Sequence, residues 1–142
     1  MAQAVSPEVL EQWKERWECW NRGDLDEMQA MYAEDAVFDI SAVFTDTAPM
    51  RGHASMRRHW EELYESMDGL RIEPFEVFAL GSGRYVAHVR MYGKGKRSGA
   101  EVDQRFAFLY TIREQDEKVL RSQLFPDLAS ALASIEEPAS AR

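Results

Sequence analysis

The sequence predicts an α+β domain, with helices grouped early in the chain packing on an antiparallel sheet assembled late. Three observations carry this. Apolar residues recur at helical steps at Leu10, Trp13, Trp17 and Trp20, and again at Met56, Trp60, Leu63 and Met67, marking one buried face on each of two helices. From Leu70 onward the period falls to that of a strand, through a series of segments joined by short turns. The length, 142 residues, suits one domain around one core, expected over residues 1–136 with 137–142 as a flexible tail.

The elements follow in chain order. Ser6 can cap the first helix, Pro7 suits its first position, and Glu8 favours the first turn. Asn21-Arg22-Gly23 ends it. Asp24-Leu25-Asp26-Glu27 opens a short second helix with a capping-box pattern, its inner face being Leu25, Met28 and Met31. Ala36–Ile40 is a first strand, and Ser41–Met50, which has no clear period, is a long loop. A third helix runs from Gly52 to about Met67, and Asp68-Gly69 turns the chain. Strands then span Leu70–Leu80, Tyr85–Tyr92, Val102–Ile112 and Val119–Phe125, with Pro74 marking an edge or a bulge and Gly93–Gly99 a basic turn. A short helix with Leu128, Leu132 and Ile135 closes the domain.

Composition narrows the function classes. Seven Phe, four Trp and five Tyr are too many for a chain that never packs. Seventeen basic against 25 acidic residues give a net charge of −8, which argues against a phosphate-backbone partner and so against nucleic acid. The longest apolar run, Phe106–Tyr110, is far short of the roughly 20 residues of a membrane span. The first residues lack the basic and apolar segments of a signal peptide. One cysteine, Cys19, allows no internal disulfide and suits a reducing cytoplasm. The three His are scattered, and the Gly93–Gly99 turn lacks the order of a phosphate loop, so no metal and no cofactor is expected.

Alternation divides the sheet into faces. Tyr85, Ala87, Val89 and Met91 form a pocket or core face, opposite Val86, His88, Arg90 and Tyr92. In the next strand both faces are apolar, which calls for cover on both sides. Helices can cover one face. A second subunit is the simplest cover for the other, so a homodimer through the outer sheet face is expected.

Several segments together resemble a known family: Asn21–Asp26, Met31–Ser41, Arg51-Gly52-His53, Ser98–Val102, Tyr110–Arg113, Phe125-Pro126-Asp127 and Ala131-Leu132. In order and spacing they are similar to SnoaL-like domains of the nuclear-transport-factor-2-like superfamily, relatives of ketosteroid isomerases and polyketide cyclases. The resemblance spans roughly residues 6–136. It implies a cone-shaped α+β barrel, cystatin-like, in which a curved antiparallel sheet wraps N-terminal helices around a blind apolar pocket. It also implies a small apolar or polyketide- or steroid-like ligand, and often a dimer. The ketosteroid isomerases place a general-base Asp at the end of the first strand, where this sequence has Ile40 with Asp39 beside it. Their oxyanion-hole Tyr falls at Arg16 and their protonated Asp at about Leu109, so isomerase chemistry is not carried over.

Two residues are candidate bases. Asp39 is the one acid inside the apolar strand, where desolvation would raise its pKa, or else an exposed acid of the outer face. His59 sits at the edge of the buried face of the third helix and titrates near neutrality, or else is a boundary residue. Trp17, Trp20, Tyr32, Trp60 and Tyr85 are candidate pocket lining, the two phenols able to orient a ligand oxygen. Arg105 could hold a carboxylate at the pocket mouth, or be half of a surface ion pair with Asp103. These residues suit a cofactor-free isomerase, cyclase, lyase or hydrolase acting by acid–base chemistry. The alternatives are a non-catalytic ligand-binding or accessory protein, and a dimerisation module.

Overall fold

The computed structural model describes residues 2–136, so the expected tail at 137–142 lies outside the described residues. After a two-residue strand β1 (Gln3–Ala4), the Ser6 hydroxyl accepts a hydrogen bond from the Val9 amide at 3.3 Å and starts α1 (Pro7–Asn21). Asp24 caps α2 (Leu25–Ala30) in the same way, accepting from the Glu27 amide at 3.0 Å. There follow β2 (Tyr32–Asp39), the 41–49 loop, β3 (Met50–Arg51), α3 (His53–Ser66), β4 (Met67–Gly81), β5 (Arg84–Gly95), β6 (Glu101–Ile112), β7 (Val119–Phe125) and α4 (Leu128–Glu136).

The strands form one curved, unclosed sheet in the order β1-β4-β5-β6-β7-β2-β3. Every pair is antiparallel except β2–β7. This parallel pair departs from the expected all-antiparallel sheet. The two strands are separated in the chain by α3 and four strands, and so long a connection can return the chain in either direction. Other departures are local. Strand β2 begins at Tyr32 rather than Ala36, because a register shift between Tyr32 and Val37 breaks the alternation that would have marked it. Asp68-Gly69 is no turn. Met67 is already extended, and Gly69, at φ +66°, falls in a register shift of the β4–β5 ladder. Residues Gly93–Gly95, expected in a turn, complete β5. The Pro74 bulge is present, with a register shift between Pro74 and Glu76. Strands β4 and β5 join through Ser82 (φ +56°) and Gly83 (φ +74°), the two-residue turn whose twist suits a hairpin. A Cβ on Gly83 would lie 2.4 Å from the Ile112 carbonyl oxygen, so only glycine fits.

The concave face of the sheet is filled by α1. Trp17 packs on Phe108 with ring centroids 5.4 Å apart, and Trp13 packs on Tyr110 at the same distance. The Trp20 indole donates to the Leu70 carbonyl at 3.2 Å. The Asn21 amide meets the Ile72 backbone twice, donating to its carbonyl at 3.2 Å and accepting from its amide at 2.9 Å. Ala87 and Val89 of β5 are fully buried on this side, with Tyr85 and Met91 packed at its margin.

On the convex face, Val86, Ala107 and Leu109 form a second cluster with Ala131, and Leu128, Leu132 and Ile135 pack around it. Helix α4 therefore covers the apolar centre of the outer face, the place where a second subunit was expected.

Trp17 is 6% exposed and makes its contacts through ring area. Trp17→Ala should lower unfolding free energy by about 3–5 kcal/mol in chemical denaturation. A loss below about 1 kcal/mol would place the ring outside the packed interior.

Candidate functional site

Packing between α1, α3 and the sheet leaves a cavity of about 230 Å³ under the 41–49 loop. Its walls are mainly aromatic, formed by Trp17, Trp20, Phe38, Trp60 and Phe108. Alternation along β2 turns Phe38 and Ile40 inward, and α3 contributes His59, Trp60 and Leu63. The loop supplies Phe44 and Thr47 at the rim. Phe44 is 51% exposed, the most exposed large apolar side chain among the described residues.

His59 is the one titratable side chain in this lining. Its ring lies 5.8 Å from that of Phe38 and makes no hydrogen bond among the described residues. Burial lowers its pKa, with Glu62 opposing the shift from outside. The imidazole is therefore neutral at pH 7 and able to accept a proton. The neighbouring Trp60 is 1% exposed, and its indole N–H has no hydrogen-bond acceptor among the described residues.

A smaller hollow of about 30 Å³ adjoins across Trp17 and Met28. Tyr32 and Tyr110 line it with Trp13 and Arg16. Burial pushes both phenols well above their usual range, so they remain protonated donors. The Ser122 hydroxyl, 1% exposed, stands close enough to both to offset part of that shift, without reaching hydrogen-bond geometry.

The structure thus brings together Trp17, Trp20, His59 and Trp60 and separates the other expected site residues. Asp39 is turned away from the cavity because its neighbours Phe38 and Ile40 point in. Its Oδ1 accepts from the Ser41 amide at 2.9 Å and the Ser41 hydroxyl at 2.6 Å, and its Oδ2 lies 3.6 Å from Arg121. Tyr32 lines the smaller hollow. Tyr85 packs on Trp13 at 5.5 Å and lines an open groove at that same end. Arg105 does not line the cavity; its strand period puts it on the convex side, its guanidinium lies 4.9 Å from the Phe75 ring centre, and it lines a separate groove of about 470 Å³ with Lys14, Glu18 and Arg90. The strand period that turns Phe106 and Phe108 inward turns Arg105 outward. Cys19 is buried, which pushes its thiol up, and it donates to the Arg16 carbonyl. Among the described residues, no three His, Cys, Asp or Glu side chains converge as metal ligands, and no helix is long and apolar enough to cross a membrane.

Sequence reasoning missed Phe44 and Thr47, which sit in a loop without period. Phe38, Ile40, Met91 and Phe108 carried a signal in their alternation, although it equally marks core.

The sequence profile of the SnoaL-like domain matches residues 13–122. No curated protein matches the chain. Among solved structures, a Catenulispora acidiphila protein with a ketosteroid isomerase-like fold, in complex with trimethylamine, is 18% identical with a TM-score of 0.70, covering 96% of this chain and 98% of that one. TerC, co-crystallised with polyporic acid, is 18% identical with a TM-score of 0.69 over 93% of this chain and all of its own. SalBIII, an epoxide hydrolase/cyclase-like enzyme with a role in pyran ring formation in polyether salinomycin, is 16% identical with a TM-score of 0.70 over 86% and 93%. These likenesses establish the cone fold.

The lowered His59 pKa sets a sign for stability. As pH falls below about 6.5 the unfolded imidazole takes up a proton that folded His59 resists, so stability declines there and is retained above. NMR titration should place the His59 midpoint below that of a free histidine, and His59→Phe should flatten this part of the stability profile.

Proposed function

The chain belongs to the SnoaL-like domain family, and from that premise we propose that the 230 Å³ cavity binds a small uncharged molecule and moves a proton on it through His59. The observation that carries the reading is the composition of the wall, one neutral imidazole in an otherwise apolar, aromatic enclosure. No charged group is available to hold a charged ligand, and six-membered rings suit the indole and phenyl faces. The volume exceeds the ~150 Å³ that encloses a benzene and falls below the ~300 Å³ at which drug-sized pockets begin. One ring or two fused rings therefore fit better than a four-ring steroid.

In this reading neutral His59 takes a proton from a ligand carbon or hydroxyl, and the resulting imidazolium returns it to another ligand atom. No net proton is consumed, as isomerisation, cyclisation or epoxide opening requires. The low-dielectric wall strengthens each interaction with the developing charge. The Thr47 hydroxyl offers a hydrogen bond to a ligand oxygen. The buried thiol of Cys19 fits a cytoplasmic location.

A second reading, a non-catalytic ligand carrier, is favoured by one observation: Asp39 faces away, so the cavity holds a lone base without an acid partner. Mass spectrometry of the ligand extracted from purified protein, together with turnover of lactone, epoxide and enone panels, separates the two. Catalysis predicts that His59→Gln lowers kcat by about 10²-fold or more while the ligand still binds, and that Asp39→Asn keeps the rate. A co-purified ligand that is never altered, with no turnover on any panel, supports the carrier instead, and turnover that His59→Gln leaves unchanged removes His59 from the mechanism.

The reading also includes a homodimer through the end of the outer face that α4 leaves open, around Phe75, His88 and Arg105. Light scattering should give twice the chain mass, and a monomer mass removes the dimer from the proposal.

A further inference from the structure

The convex face carries a second group of side chains, on the other side of the sheet from the cavity. One rung across three strands reads Arg84, Thr111 and Arg121, each directly opposite the next. Residues opposite one another share a face, so both guanidinium groups rise on the same side, from Cα atoms about 10 Å apart. They line a groove of about 650 Å³ whose apolar side is Leu109, Phe125 and Ile135.

The charge of this groove contrasts with the chain. The protein carries −8 overall, yet among the described residues no acid lines the groove. Arg84 pairs with no acid among the described residues. Arg121 has Asp39 at 3.6 Å, longer than a hydrogen bond, and the other Asp39 oxygen is held by Ser41. Among the described residues, two cations against one partly committed anion leave one positive charge beside an apolar wall.

We propose that this groove binds a monoanion with an apolar body, namely a carboxylate on an aryl or short alkyl group. The planar, forked guanidinium matches a carboxylate in two-pronged fashion. Thr111 supplies a further donor from the middle of the rung, and the body of the ligand lies along Leu109, Phe125 and Ile135. Exposed arginines alone hold anions weakly. The apolar side adds burial of the ligand body, which a bare anion does not gain. This site is independent of whether the cavity is catalytic.

The test is titration of the full, isotope-labelled chain with benzoate by NMR, with benzyl alcohol and inorganic phosphate as controls. Expected are saturable shifts at Arg84, Thr111, Arg121 and Gln123 that benzyl alcohol and phosphate do not reproduce. Arg84→Gln and Arg121→Gln should each weaken benzoate by about tenfold, the loss of one charge-assisted contact. Asp39→Asn, which removes the competing carboxylate, should tighten it, a gain that misfolding could not mimic. The proposal is overturned if benzoate shifts only residues around Trp60, if the arginine variants bind equally, if phosphate or benzyl alcohol binds as tightly, or if no saturable binding occurs.

Discussion

Filling the concave side of a bent sheet is the constraint on which the rest of this molecule depends. A curved sheet cannot pack against itself, and here the volume is taken up by three indoles spaced along one face of α1. Trp13 and Trp17 stack against the aromatic residues of β6, and Trp20 and Asn21 fasten the end of the helix to the backbone of β4. These bonds fix how deep the helix lies. What α1 leaves unfilled beneath α3 becomes the cavity, so its aromatic lining is a by-product of the same residues that hold the core.

That origin explains the electrostatics. A hollow made from core side chains inherits the core's lack of charge, and any titratable group at its wall is desolvated on one side. His59 sits in that position, with the exposed flank of α3 behind it and Phe38 in front. The hydroxyls of Tyr32, Tyr110 and Ser122 are buried deeper, and the same desolvation keeps the two phenols protonated. Where water is scarce, each such polar group interacts more strongly with its surroundings than it would at the surface.

The helices were legible in the sequence because large apolar residues at helical spacing leave little choice of face, and Trp13, Trp17, Trp20 and Trp60 all went inside. The later strands were legible by period, and Pro74 marked its own bulge. For Asp39 and Arg105 the sequence left two positions open, a place at the pocket or one on the outer face, and the structure puts both on the outer face. The side of the sheet was set by neighbours: Phe38 and Ile40 in one case, Phe106 and Phe108 in the other. The cover that α4 gives the convex face also escaped, since a short helix after a Pro-Asp turn carries no sign of which surface it will meet. Phe44 and Thr47 belong to a segment whose conformation depends on what lies beneath it.

Asp39, turned away from the cavity, holds an unusual station instead. One of its oxygens secures the first residue of the span that roofs the cavity, and the other reaches toward Arg121 on the reverse of the sheet. Its two sequence neighbours are part of the cavity wall. A lone carboxylate thereby links the two surfaces of the domain with no intervening residue. Arg121 and the first residue of the roof therefore share one charged group, each through a different oxygen.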